Sequence, residues 1–238
     1  MSQEATVVLI HGAFAESASW NDVISLLAAE GVHAIAAANP LRSVTSDGEY
    51  VADVVRSIDG PVVLVGHSYG GVVATEASSL VDNVRALVYV AAFAPDTGES
   101  AADLAGKFPG STLGESLQPN VLTSGQVDLT IREDVFHAQF CADVDDATAR
   151  LMAQTQRPIT ETALNEPLPA AQPGWKSVPS WFIYAGADRN IPAEAIAFLA
   201  ERAGAREATV IDGASHALAV SQPAAVAKTI LSAFHATR

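Results

Sequence analysis

Gly66-His67-Ser68-Tyr69-Gly70-Gly71 sets a serine between glycines, directly after the apolar run 61–65. A serine hydroxyl is a poor nucleophile at neutral pH, so such a residue needs a base to take its proton and an acid to hold that base. Six histidines are available. His216, in Asp212-Gly213-Ala214-Ser215-His216-Ala217 after the last apolar run, is the candidate base. His11 and His67 stand in the turns beside the serine, where a ring shapes the turn by hydrogen bonding. His33 precedes a strand-like run, His137 falls in a long excursion, and His235 lies near the chain end. The candidate acid is Asp188, in Gly186-Ala187-Asp188-Arg189-Asn190-Ile191-Pro192. Asp96 follows another apolar run and is a rival, whereas Asp212 is so near His216 in sequence that turn formation suits it better. The chemistry implied is acyl transfer through a serine adduct.

Three residues so far apart act together only if the intervening elements bring them to one place. Six short apolar runs, 6–10, 33–37, 61–65, 84–90, 180–184 and 208–211, read as strands. Most are continuous rather than alternating, as expected of strands covered on both faces. Segments of helical spacing separate them at 18–30, 47–58, 70–80, 193–203 and 223–236, the first closed by Gly31. The alternation predicts an α/β chain with a doubly wound, mostly parallel sheet of about six strands. In that architecture ligands bind at the C-terminal edge of the strands. A G-x-S-x-G turn from strand to helix lifts the serine oxygen above that edge, and the loops holding Asp188 and His216 follow strands ending there. The stretch 97–178 breaks the rhythm. With no convincing strand and one or two helices at 134–156, it predicts a mostly helical cap inserted into a core of 1–96 and 179–238.

Composition narrows the partners. The chain has 238 residues, 49% of them apolar, enough for one domain with a substantial core. Its 13 basic and 27 acidic residues give a net charge of -14, which repels nucleic acid and anionic membranes. The single cysteine, Cys141, can form neither an internal disulfide nor a thiolate metal site, and no cofactor or metal is expected. The N-terminal residues 1–6 have no basic region, and no apolar run reaches 18 residues, so a cytoplasmic location is expected. A small-molecule partner is anticipated, and a homo-oligomer is left open.

Taken together, His11-Gly12, the GHSYGG turn, the GADRNIP loop and the GASH loop stand in an order that resembles the α/β-hydrolase-fold serine hydrolases over essentially the whole chain. Among these it is similar to the plant esterase and hydroxynitrile lyase group and its bacterial relatives. The resemblance implies Ser68 as nucleophile, His216 as general base and acid, and Asp188 as the orienting acid. It also implies an oxyanion hole from the backbone N–H groups of Ala13 and Tyr69, with Phe14 as an alternative register for the first. Epoxide hydrolases and haloalkane dehalogenases of the fold use an aspartate nucleophile, which Ser68 disfavours. Hydroxynitrile lyases carry threonine and lysine where this chain has Gly12 and Ala217, which favours hydrolysis of small to medium, largely apolar carboxylic esters. A perhydrolase side activity, or a receptor or scaffold role on the same triad, stays open. Phe14, Phe136, His137, Phe140 and Trp175 are the expected substrate-binding residues, with Trp20 and Met152 as further apolar surface.

Overall fold

The computed structural model describes residues 4–237. Residues 1–3 and 238, the ends of the expected core, lie outside the described residues. Along the chain, β1 (Thr6–Ile10) leads through a 3-10 turn (Ser17–Trp20) into α1 (Asn21–Ala29), and β2 (Ala34–Ala37) into α2 (Val44–Arg56). Next come β3 (Val62–His67), α3 (Gly70–Ala77) and β4 (Val84–Val90). The excursion holds α4 (Ala101–Gly106), α5 (Leu113–Ser116), β5 (Leu117–Val121), β6 (Val127–Ile131) and α6 (Glu133–Phe140). It continues with α7 (Asp146–Thr155), β7 (Ile159–Thr160), α8 (Glu161–Asn165) and a second 3-10 turn (Gly174–Lys176). The chain then returns through β8 (Ser180–Ala185), α9 (Ala193–Arg202), β9 (Glu207–Ile211), α10 (Leu218–Ser221) and α11 (Pro223–His235).

Six strands form one parallel sheet in the order β2-β1-β3-β4-β8-β9. The α/β-hydrolase architecture expected from the sequence is therefore the one observed. Val62 to Val65 are wholly buried in β3, as are Val7 to Ile10 in β1, because helices cover both faces. On one side α1 packs against α11, and on the other α2 packs against α3. The four loops that matter for chemistry leave the C-terminal ends of β1, β3, β8 and β9, so one edge of the sheet collects them.

One expectation is corrected. The excursion is not free of strands: β5, β6 and β7 form a three-stranded antiparallel sheet. Pro119 and the exposed face of β5 mask its strand character. Val127-Asp128-Leu129-Thr130-Ile131 does alternate apolar and polar residues, and that period was the available signal. The helical part divides in two, α6 and α7, where Asp145 caps the second helix by accepting the Ala147 and Thr148 N–H groups. Among the described residues, no helix is long and apolar enough to cross a membrane.

Candidate active site

Ser68 stands on the turn between β3 and α3, and its neighbours have to be glycine. A Cβ on Gly66 would lie 2.4 Å from the Gly70 carbonyl oxygen, and one on Gly70 would lie 2.5 Å from the Ile10 carbonyl oxygen. Ser68 itself takes φ 55°, the left-handed region that costs an L-residue about 1–2 kcal/mol. The surroundings over-determine that conformation. Its N–H donates to Val90 C=O at 3.2 Å, and its own carbonyl accepts the Gly71 and Phe93 N–H groups at 3.0 and 3.3 Å. Strain held in this way at the C-terminal edge of the sheet makes Ser68 a candidate functional position.

The loops after β8 and β9 bring a second pair together. His216 Nδ1–H donates to Asp188 Oδ2 at 2.6 Å, with both side chains almost completely buried. The other Asp188 oxygen accepts two backbone donors, Asn190 N–H at 2.7 Å and Ile191 N–H at 3.0 Å. Backbone bonds from Gly186 N–H to Ile211 C=O and from Ala187 N–H to Ala214 C=O, at 2.9 and 3.0 Å, tie one loop to the other. The rival Asp96 is engaged elsewhere, with Lys176 at 2.5 Å. His67, the residue before Ser68, joins this pair to the turn: its Nε2–H donates to His216 C=O at 3.0 Å, and the two rings stand 4.8 Å apart. Among the described residues, Ser68 Oγ has no hydrogen-bond partner.

The turn after β1 closes on the serine from the other side. A Cβ at Gly12 would meet Ser68 Cβ at 2.6 Å and Ser68 Oγ at 3.2 Å, so backbone lies directly against the hydroxyl. Among the described residues, neither Ala13 N–H nor Tyr69 N–H has a protein acceptor. Phe14 N–H does: it donates to Arg157 C=O at 3.1 Å.

The aromatic residues singled out in the sequence part company. Phe140 lies edge-on to His216 at 5.2 Å and to His67 at 6.2 Å, Phe14 meets Phe140 at 6.5 Å, and Phe136 stacks behind Phe140 at 5.1 Å. Trp20 reaches His67 edge-on at 6.3 Å. His137 is turned to the outside of the excursion, where Nε2–H donates to Val144 C=O at 2.8 Å and Nδ1 lies 3.4 Å from exposed Asp146. Trp175 is likewise spent on packing, its Nε1–H donating to Pro95 C=O at 2.8 Å and its ring faced by Lys176 and Arg202. A cavity of about 470 Å³ opens beside Phe14, lined by Ala15, Leu151, Met152, Gln156 and Val220 among others. Ser68 is not part of its wall; Phe14 lines it and also meets Phe140.

Sequence reasoning passed over the residues that lock these loops. Gln139 Nε2 donates to Asn190 Oδ1 at 2.7 Å and to Arg189 C=O at 2.9 Å, while its oxygen accepts the Thr112 and Ser116 hydroxyls. Ser215, next to His216, donates its hydroxyl to Asp143. Isolated polar residues on a helix and in a loop carry no sequence signal for such roles.

Two buried histidines make stability acid-sensitive. Burial lowers the His11 pKa to about 4 against a weaker opposing bond to Gly12 C=O, and burial followed by the charges of His216 and His11 lowers His67 to about 3. Both rings are therefore neutral in the fold. Below the ordinary value of 6.5 the unfolded chain takes up protons that the folded chain refuses, so stability falls with pH until about 4 and about 3 respectively. By pH 5 each ring is expected to have cost about 2 kcal/mol relative to pH 7. Urea unfolding at pH 7.5, 6.5 and 5 checks this, and a flat profile would mean that both rings take up protons in the native state.

Comparison with known proteins agrees with the geometry. A family described as the alpha/beta hydrolase family matches residues 7–229. The chain is 23% identical over 245 residues to an alpha-hydroxynitrile lyase of Arabidopsis thaliana, covering 94% of each. It is 28% identical over 214 residues to methylesterase 8 of the same plant, covering 79% of this chain and 74% of the relative. The crystal structure of polyneuridine aldehyde esterase superposes with a TM-score of 0.82 at 22% identity, covering 97% of this chain and 99% of the other. Strand order, the strained serine turn and a match spanning nearly every described residue converge on one conclusion: this chain belongs to the alpha/beta hydrolase family.

Proposed function

We propose that the protein is a serine hydrolase that cleaves small to medium, uncharged carboxylic esters through an acyl-enzyme. The observation that carries this reading is the 2.6 Å bond from His216 Nδ1–H to Asp188 Oδ2, on the sheet edge where Ser68 is held at φ 55°. In this mechanism His216 Nε2 takes the Ser68 proton as Oγ attacks the ester carbonyl, and Asp188 stabilises the imidazolium that forms. Negative charge developing on the carbonyl oxygen is received by the N–H groups of Ala13 and Tyr69. Collapse expels the alcohol, which takes the proton from His216, and water then repeats the sequence to release the acid. Residues 97–178 act as the cap over this edge. Phe14, Phe136 and Phe140 supply the dry wall, and the 470 Å³ cavity beside Phe14 has the size of a small-ligand site for one arm of the ester. The methylesterase relative supports ester cleavage in general.

The test uses two reagents. p-Nitrophenyl butyrate is expected to be hydrolysed with a burst of p-nitrophenolate. Diethyl p-nitrophenyl phosphate is expected to stop turnover after one equivalent, with the diethylphosphoryl group on Ser68 by peptide mass spectrometry. A label on another residue, or no turnover across a panel of short-chain esters, lactones and thioesters, would reject the proposal.

A further inference from the structure

The side chain of Tyr69 enters a buried network that the mechanism above leaves unused. Its hydroxyl donates to Asp47 Oδ2 at 3.0 Å, and the two residues are 1% and 0% exposed. Asp47, in the first turn of α2, also accepts Arg42 N–H on both oxygens at 3.1 Å. Burial raises the pKa of Asp47, and burial together with Asp47 raises that of the Tyr69 phenol far above its ordinary value, so the phenol stays a donor. From Arg42 the contacts pass into the excursion. Nη1–H donates to Asp128 Oδ1 on β6 and Nη2–H to Pro158 C=O, both at 2.7 Å. Thr160 returns two bonds, N–H to Leu41 C=O at 3.1 Å and Oγ1–H to Arg42 C=O at 2.6 Å.

One residue before Pro158, Arg157 C=O accepts the Phe14 N–H at 3.1 Å, in the turn that carries Ala13. Two consecutive carbonyls of the excursion therefore reach both halves of the oxyanion hole. The carbonyl of 157 holds the Ala13 turn directly, and that of 158 holds Tyr69 through Arg42 and Asp47.

We propose that Arg42, Asp47 and the phenol of Tyr69 are positioning residues, and that residues 157–158 are a strut that sets the spacing between the two oxyanion donors. The inference rests on the serine-hydrolase reading. Its physical basis is that oxyanion donors act only when aimed at the place where charge develops, within about 2.7–3.1 Å of it. The Ser68–Tyr69 peptide follows a residue in a strained conformation, and a phenol anchored at its far end opposes relaxation of that peptide. A tyrosine that merely fills the core would share the burial but would leave the transition state untouched.

Phosphylation by diethyl p-nitrophenyl phosphate tests this without knowledge of the natural ester. Ser68 Oγ bonds to phosphorus, p-nitrophenolate leaves, the serine proton passes to His216, and the phosphoryl oxygen uses the same two N–H groups. Tyr69→Phe and Arg42→Met are each expected to slow labelling of Ser68 about tenfold, a fraction of what losing a whole donor costs. On p-nitrophenyl butyrate, kcat should fall by the same factor with KM within about twofold. Wild-type labelling rates in both variants, or a raised KM with unchanged kcat, would overturn the proposal. Slowing in Tyr69→Phe alone would overturn the part assigned to the strut. Should Arg42→Met fail to fold, Tyr69→Phe, which removes one oxygen and no volume, decides the role of the phenol, and Arg42→Lys, whose single ammonium cannot reproduce the fork to Asp128 and Pro158, decides that of the strut. If wild-type Ser68 is not labelled, the functional reading fails; if it is labelled and Tyr69→Phe reacts at the same rate, only the positioning role fails.

Discussion

Asp188→Asn is expected to lower kcat on p-nitrophenyl butyrate by about 10⁴, the loss that a wrongly placed imidazole proton brings in a serine triad. The reason lies in the donors around this carboxylate. Asn190 N–H and Ile191 N–H both point at Oδ1, so an asparagine must turn its carbonyl oxygen toward them. Its NH₂ then occupies the place of Oδ2 and donates toward His216 Nδ1, where the wild type has an acceptor. The imidazole must carry its proton on Nε2 instead, and that nitrogen can no longer take one from Ser68. Volume and packing hardly change, so the folded structure and KM should survive. Asp96→Asn is the control. That carboxylate is occupied with Lys176 at the surface, and its replacement should leave kcat within about twofold. The opposite pattern, with Asp96→Asn crippled and Asp188→Asn close to wild type, would transfer the acid role to Asp96.

Much of this arrangement was legible in the residues because it depends on backbone geometry that few sequences satisfy. Gly66 and Gly70 announced the tight turn, and the positions where a Cβ would collide with backbone oxygens explain why. Asp188 and His216 could be assigned to one edge because each follows an apolar run, and parallel strands end on the same side. What stayed hidden depends on side-chain contacts between segments distant in sequence. Arg42 meets Asp128 across 86 residues, and Gln139 meets Asn190 across 51, through bonds that any surface arginine or glutamine could make. His137 and Trp175 looked like substrate contacts because they fall in the excursion. Which way a ring faces depends on the helix phase and on the partner it finds, Val144 C=O for one and Pro95 C=O for the other. The small sheet of the excursion escaped for a similar reason, since a proline-bearing, solvent-exposed strand such as β5 takes its identity from its pairing with β6.

Gly12 concentrates these constraints at one atom. Gly12→Ala is expected to lower kcat by about 10³, with kcat/KM falling in parallel. The new methyl would lie 2.6 Å from Ser68 Cβ, 2.8 Å from the His67 carbonyl oxygen and 3.2 Å from Ser68 Oγ. The first two neighbours belong to a turn locked by Val90, Gly71 and Phe93, so the Gly12–Ala13 segment is the part that must retreat. That movement carries Ala13 N–H away from the developing oxyanion, and losing one such donor is worth about 3–4 kcal/mol in the transition state. Overpacking adds about 1–3 kcal/mol of lost stability, which a urea titration separates from the kinetic effect. Threonine brings two more heavy atoms to the same space. Gly12→Thr should therefore lose ester hydrolysis at least as completely and should not release cyanide from mandelonitrile, since the same retreat displaces the turn beside the serine. An alanine variant with kcat within threefold of wild type would show that the turn has slack, and that Ala13 N–H is not the donor on which the rate depends.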